Sequence, residues 1–156
     1  PVKGQPGKRF LYAEDLPRGA RAKLVGFDQG PAADETPNDR FPLILNTGRI
    51  LYHWHGGTIT RRASGLMARA PELEIAINPD DGSKHNVLDG EWVSIRSRRG
   101  EVEGRITYTD RMRSGEIFVP FVKLQEHAAN FLTNAALDPN SRIPEYKVCA
   151  VRLEKV

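Results

Sequence analysis

Cysteine occurs once in this chain of 156 residues, at position 149. A single thiol excludes an internal disulfide framework and any cysteine-rich metal site, and leaves the redox compartment open. Long hydrophobic runs are also missing: no apolar stretch approaches the roughly 20 residues that a membrane-spanning helix needs, so no membrane insertion is expected. The opening Pro1-Val2-Lys3-Gly4 has neither a signal peptide's apolar core nor an initiator methionine. Pro1 reads as a cut end, and the chain as a piece of something longer. There is little excess charge, since 23 Lys and Arg face 20 Asp and Glu for a net +3. With charges interspersed, a sequence pI near 9.2 does not by itself imply nucleic acid. Internal repeats and low-complexity tracts are absent. What remains is one domain with an extension, long enough to bury a core.

Residues 1–40 are rich in Gly, Pro, Ala and charge, with strand-like apolar content only at 9–13 and 22–27. Residues 28–40, with Pro31 and Pro37, read as an extended connector. The domain is expected to begin at Phe41, where residues 41–45 form a short apolar run of the kind found in a strand buried on both faces. Residues 61–70 suit a short helix or an irregular lid, and 74–77 a strand. Asn78, Pro79 and Asp80-Asp81 together spell a helix start. Asn can cap free amides, Pro tolerates the first helical position, and acids suit the positive end. Turn chemistry at Asp89-Gly90, Arg99-Gly100 and Ser114-Gly115 separates alternating strands at 91–97, 101–109 and 116–122. A short helix or loop at 127–134 and a last strand at 146–153 complete the pattern. Many short strands with little helix imply a closed β-barrel or sandwich. Two apolar strands, 41–45 and 116–122, each lead into a polar segment, a loose internal echo.

The chemistry concentrates after the first of these. Asn46-Thr47-Gly48-Arg49 is followed by His53-Trp54-His55-Gly56-Gly57-Thr58 and then Thr60-Arg61-Arg62. A phosphate needs charge-assisted donors and free amides; Arg supplies a planar fork, His a ring donor, and glycines let the backbone approach. Spacing alone fits a surface loop equally well, but Trp54 adds an indole that stacks on flat heterocycles and donates a hydrogen bond. Asn130 offers a donor and an acceptor to the edge of a pterin or purine. Tyr146-Lys147 adds a point charge for a phosphate.

Other readings compete. In an extended segment His53 and His55 share a face, and His85 or His127 could complete a metal site, but no acidic or thiolate ligand motif lies nearby. Cys149, flanked by Val148, Ala150 and Val151, reads as a buried strand residue rather than a nucleophile. Gly82-Ser83 resembles the dipeptide that self-processing decarboxylases cleave, but reads more simply as a helix breaker. Arg96, Arg98 and Arg99 read as a solvated face. A stand-alone nucleic-acid-binding barrel, suggested by the pI and these arginines, is the remote alternative.

In combination, these residues resemble the C-terminal molybdopterin-dinucleotide-binding domain of the dimethyl sulfoxide reductase superfamily, and most closely that of formate dehydrogenase large subunits. The resemblance runs from about Arg21 to Val156. It is carried by the run 41–49, His53-Trp54-His55, Thr60-Arg61-Arg62, the capped segment 77–81, Asp89-Gly90-Glu91-Trp92-Val93, residues 97–101, Asn130 with Leu132-Thr133, and residues 143–152. It implies a mainly β fold, a six-stranded double-psi β-barrel at 41–156 with a few short helices, entered by an N-terminal arm at 1–40. It also implies that Thr47, Gly48, Arg49, His53, Trp54, His55, Gly56, Asn130, Tyr146 and Lys147 contact a molybdenum or tungsten bis(molybdopterin guanine dinucleotide). By the same likeness, catalytic residues, metal ligands, iron-sulfur cluster and NAD belong to preceding domains or electron-transfer subunits of a cytoplasmic enzyme. Nitrate reductases share much of the Thr-Gly-Arg and Trp-His pattern and are the alternative; the block 144–152 and Thr60-Arg61-Arg62 favour the soluble NAD-linked formate dehydrogenase type. Ile50 and Gly56 stand where relatives often carry an acid and a threonine, and Gly82-Ser83 replaces an alanine-rich turn.

Overall fold

Side chains two apart along a strand share a face, and here that alternation points one row of Leu, Ile and Val inward from each of six strands. The computed structural model describes residues 3, 4, 7, 23–30, 33–124 and 126–156. Two units are distinguished, Pro1–Pro31 and Ala32–Val156. In the first, residues 23–30 carry no helix or strand. The strand-like stretch 9–13 and Ala22 lie outside the described residues.

The second unit holds β1 (Leu43–Gly48), a 3-10 turn (Thr60–Arg62), α1 (Ser64–Arg69), β2 (Glu74–Ile77), α2 (Pro79–Lys84), β3 (Trp92–Arg96), β4 (Glu101–Tyr108), β5 (Glu116–Pro120), a second 3-10 turn (Ala129–Phe131) and β6 (Cys149–Lys155). The strands close into a barrel in the order β1-β5-β2-β4-β3-β6, so every strand has two neighbours and no sheet edge is left. Two pairs are parallel, β1 with β5 and β2 with β4. This closed six-stranded barrel is the mainly β fold that the resemblance implied. Its interior is filled by Leu45, Ile75, Ile77, Val93, Ile95, Val102, Ile106, Ile117 and Val119. Among the described residues no helix is long and apolar enough to cross a membrane.

Several boundaries differ from those expected. The first strand runs through Thr47 and Gly48 and buries one face only, Leu43, Leu45 and Thr47 alternating with less covered residues. The barrel wall has an outside, so double-sided burial is not required. Phe41 pairs with Asn38 in an isolated bridge, and Pro42, with no N–H to donate, separates it from the strand. The last strand begins at Cys149, because the chain around Tyr146 is held elsewhere. The expected segment 61–70 splits at Ala63, whose extended backbone divides the 3-10 turn from α1.

Helix α2 forms as its chemistry dictates. The Asn78 side chain accepts the Asp80 N–H at 2.9 Å, and Pro79 occupies the first turn. Asp81 is 3% exposed. It accepts from the Ser114 hydroxyl at 2.7 Å, the Gly115 N–H at 2.6 Å and the Lys84 ammonium at 2.9 Å, fastening the helix to the turn before β5. Burial raises its pKa, but the Lys84, Ser114 and Gly115 hydrogen bonds outweigh that and hold it below the ordinary 3.8. Gly82 is no helix breaker. It sits within the helix because Tyr108 packs on it: a Cβ there would lie 2.3 Å from the Tyr108 hydroxyl oxygen.

Two outcomes follow for stability. Gly82→Ala gains up to about 1 kcal/mol in helix propensity but overpacks the Tyr108 contact at a cost of about 1–3 kcal/mol; calorimetry should show a lower Tm, and a raised Tm would restore the helix-breaker reading. Because the folded pKa of Asp81 is lowered, its contribution is present above the unfolded value and is lost as pH falls through the folded one. Asp81→Asn should therefore be less stable at neutral pH and lose less stability on acidification below about pH 4, as measured by denaturant midpoints across pH.

Candidate functional site

Parallel pairing runs from Ile44 opposite Glu116 to Gly48 opposite Pro120, so the carboxyl ends of β1 and β5 emerge side by side. The pairing persists into the loops. Phe121 N–H donates to the Gly48 carbonyl at 3.0 Å and Lys123 N–H to the Gly56 carbonyl at 3.2 Å, closing the loop 49–55 against the chain beyond β5. Gly48 is required by packing, since a Cβ would lie 2.8 Å from the Phe118 ring. Thr47 is 2% exposed, and its hydroxyl donates to the Tyr146 carbonyl at 2.8 Å. That bond draws the segment before β6 over the end of β1.

Inside the loop, the two histidines part company. His53 is 2% exposed, with Nε2 2.9 Å from the Ala70 carbonyl and Nδ1 3.2 Å from the Thr60 hydroxyl. A carbonyl can only accept, so Nε2 carries the proton, and Nδ1 accepts from Thr60. The same Thr60 oxygen accepts the Trp54 N–H at 3.1 Å. His55 points outward and has a left-handed backbone, φ 51°, at a cost of about 1–2 kcal/mol for a non-glycine residue. The shared face that the rival metal reading required of His53 and His55 does not exist, since one ring is buried and the other exposed. His127 Nδ1 accepts the Glu103 N–H at 3.1 Å. Among the described residues no three His, Cys, Asp or Glu side chains gather as a metal site.

An unbroken row of rings and charge leads from the loop tip to a cavity. The Arg49 guanidinium lies 5.5 Å from the centre of the exposed Trp54 ring, Trp54 meets His55 edge-on at 4.6 Å, and His55 lies 6.2 Å from Phe121. His55, Gly56, Phe121, Asn130 and Tyr146 line a cavity of about 320 Å³. Four of the ten expected site residues therefore converge from three separate parts of the chain. Arg49 and Trp54 adjoin through His55, and Thr47 and Gly48 lie beneath. His53 faces away from the cavity, and the exposed Lys147 follows Tyr146 without lining it. Phe121 is the lining residue that sequence reasoning missed. Its signal was the internal echo, since it stands after β5 as Arg49 does after β1.

Arg98 and Arg99 are exposed, as expected of a solvated face, and both also hold a partner. Arg98 and Arg99 pair with Glu35, whose side chain is 10% exposed, at 3.0 and 2.7 Å. Arg98 also lies 4.7 Å from the Phe41 ring centre. Arg99 donates to the Leu132 carbonyl from Nε at 3.1 Å and Nη2 at 2.8 Å. Burial raises the Glu35 pKa, but the Arg99 and Ala150 N–H hydrogen bonds and the charges of Arg99 and Arg98 hold it below the ordinary carboxylate value. Cys149 is buried as expected, and desolvation pushes its thiol up to about 11 against the pull of Arg99. It is a protonated wall residue, not a nucleophile.

The sequence profile of the molydopterin dinucleotide binding domain matches residues 43–150. The chain belongs to this family. The chain is 43% identical over 151 residues to the F420-dependent formate dehydrogenase subunit alpha of Methanocaldococcus jannaschii, covering 96% of this chain and 22% of that relative. It is 42% identical over 152 residues to the F420-dependent formate dehydrogenase 1 subunit alpha of Methanococcus maripaludis, covering 97% and 22%. The chain thus spans about a fifth of the length of these relatives. Acetylene hydratase from Pelobacter acetylenicus shares the fold at a TM-score of 0.63 and 16% identity, over 74% of this chain and 18% of that one.

The cavity's donor set fits a molybdopterin group. Asn130 and Tyr146 can hydrogen-bond a heterocycle edge, His55 and Phe121 supply ring surface, and cationic side chains stand within the same loops for phosphate. Thr47→Val tests what holds the domain's site together. The swap is nearly isosteric but leaves the Tyr146 carbonyl without its donor, so a loss of about 1–3 kcal/mol is expected. Denaturant titration followed by Tyr and Trp fluorescence measures it.

Proposed function

We propose that this chain is the domain by which a formate dehydrogenase large subunit binds and orients a molybdenum or tungsten bis(molybdopterin guanine dinucleotide). The reading is supported above all by the convergence of His55, Gly56, Asn130 and Tyr146 on one cavity in a chain of this family. The names of these relatives support formate as the substrate, oxidised to carbon dioxide. When bound, the cofactor supplies the redox chemistry, and the protein supplies grip, orientation and electrostatics.

Each side chain then has a role its surroundings suit. Asn130 and Tyr146 hydrogen-bond the edge of the pterin, while His55 and Phe121 form the ring surfaces against which it lies. Arg49, stacked on Trp54, presents its fork to a phosphate, and Lys147 adds a second positive charge. Gly56, with open space where a Cβ would stand, leaves the backbone free for close approach, while Gly48 brings the end of β1 to the pocket by making room for the Phe118 ring. His53 acts from behind as a strut, joining the loop to Thr60 and Ala70 so that Trp54 and His55 are held outward. Residues 1–40 are the arm that leads in from preceding domains, and 41–156 the binding barrel. Catalytic groups and the iron-sulfur cluster reside in those domains. The relatives are named for F420, whereas the sequence resembles the NAD-linked type, and either acceptor would meet the enzyme through another subunit.

Removing a charge-assisted phosphate contact costs about 1.5–3 kcal/mol, or roughly ten- to a hundredfold in affinity. Arg49→Ala and Lys147→Ala in the full-length protein should each lower the pterin and metal retained after gel filtration, assayed by pterin fluorescence and elemental analysis. Undiminished loading in both would sink the assignment.

A further inference from the structure

The two cavity walls that carry Asn130 and Tyr146 belong to no strand, yet both are fastened to one short stretch ahead of the barrel. Asn130 sits in the turn Ala129–Phe131, between Ala129 and Leu132, each 0% exposed. Leu132 N–H closes that turn onto the Ala129 carbonyl at 2.9 Å, and the Leu132 carbonyl anchors it, accepting Arg99 Nε at 3.1 Å, Arg99 Nη2 at 2.8 Å and the Cys149 thiol at 3.4 Å. Gly100 lets the hairpin tip approach, since a Cβ there would stand 2.9 Å from the Phe131 carbonyl oxygen. Arg99 is itself gripped by Glu35, Nη1 to Oε2 at 2.7 Å and Nη2 to Oε1 at 3.2 Å. Oε1 also accepts the Ala150 N–H at 2.8 Å.

The other wall is reached from the neighbouring residue. Asp34 N–H donates to Glu145 Oε2 at 3.0 Å, and the same oxygen accepts Asn134 Nδ2 at 3.1 Å. Glu145 directly precedes Tyr146, whose carbonyl Thr47 holds. Asp34 thus bonds the Tyr146 wall through Glu145, and Glu35 reaches the Asn130 wall through Arg99, both from outside the segments that line the cavity.

We propose that Glu35 and Arg99 are positioning residues for the cofactor pocket, and that Asp34-Glu35 is a strap setting the distance between the Asn130 and Tyr146 walls. Arg99 is suited to this by its fork: five N–H donors in one plane serve a carboxylate on one side and a carbonyl on the other. Lysine, whose donors share one nitrogen, cannot grip the carboxylate through two nitrogens and the carbonyl through two as Arg99 does. Glu35→Gln keeps the shape but removes the charge that orients Arg99. The strap rests on the proposed cofactor reading only for what the pocket holds; its own geometry is independent of it.

Hydrogen exchange of the full-length protein separates the two. Glu35→Gln and Arg99→Lys should each accelerate exchange of backbone amides in 129–134 and 145–150 by about tenfold, the effect of losing part of a charged hydrogen-bond pair on local opening. Strands β2 and β4 should be unchanged. Arg96→Lys serves as control: among the described residues Arg96 pairs with the half-exposed Glu101 on β4 and Glu154 on β6, away from Leu132 and Glu35, and should leave both segments unaffected. Unchanged exchange at 129–134, or faster exchange throughout the barrel, overturns the strap. Retained pterin, measured on the same samples, should fall in parallel. Local acceleration with full retention upholds the strap and counts against the cofactor reading instead.

Discussion

Everything near the cavity depends on the parallel pairing of β1 with β5. Parallel strands cannot be joined by a hairpin and require a crossover, and here the crossover consists of strand β2, both helices and the β3–β4 hairpin. Its effect is directional. Both strands run out at the same end of the barrel, so the loop 49–55 and the chain beyond Pro120 meet there and continue to hydrogen-bond each other. The barrel interior, packed with Leu, Ile and Val, has no room for a ligand. Binding is therefore confined to the rim, where two chain ends and two irregular segments can contribute polar groups.

Such a rim has to be rigid without being regular, and this one achieves it through buried polar contacts. Thr47, His53, Glu35 and Asn134 are each covered or nearly so, and each spends its side chain on the backbone or side chain of another loop. None offers much net stability on its own. Left unpaired, each would cost more than it contributes when paired, which is what makes the arrangement specific. The left-handed backbone of His55 is the visible strain in this system. It is tolerated because the flanking residues are bonded on both sides, and strain of this kind is typical of binding loops.

Much of this could be read from the residues. Alternation gave the strands at 74–77, 91–97 and 101–109 to within a residue or two, and Asn78-Pro79-Asp80-Asp81 gave the helix cap outright, because capping is local chemistry. The run from Thr47 to Gly56, Asn130 and Tyr146 stood out by composition, and four of these residues share one cavity. What could not be read is whatever depends on a distant partner. Nothing local tells His53 from His55, since the difference lies in Ala70 and Thr60. Gly82 reads as a breaker until Tyr108 is placed upon it. The exposure of Arg98 and Arg99 is legible, but their pairing with Glu35 is not, because Glu35 lies in a stretch that sequence alone assigns to a connector.

The barrel is closed by its final strand, and this governs when it can exist. β6 supplies the antiparallel neighbours of both β1 and β3, so until the last residues of this chain have been synthesised, the first strand is paired on one side at most. Almost all of the wall is built from contacts distant in sequence, a topology that folds slowly and exposes unpaired strands meanwhile. On the ribosome the domain must therefore wait as an open sheet, and its pocket, whose Asn130 and Tyr146 walls lie between β5 and β6, is completed only as the seam shuts.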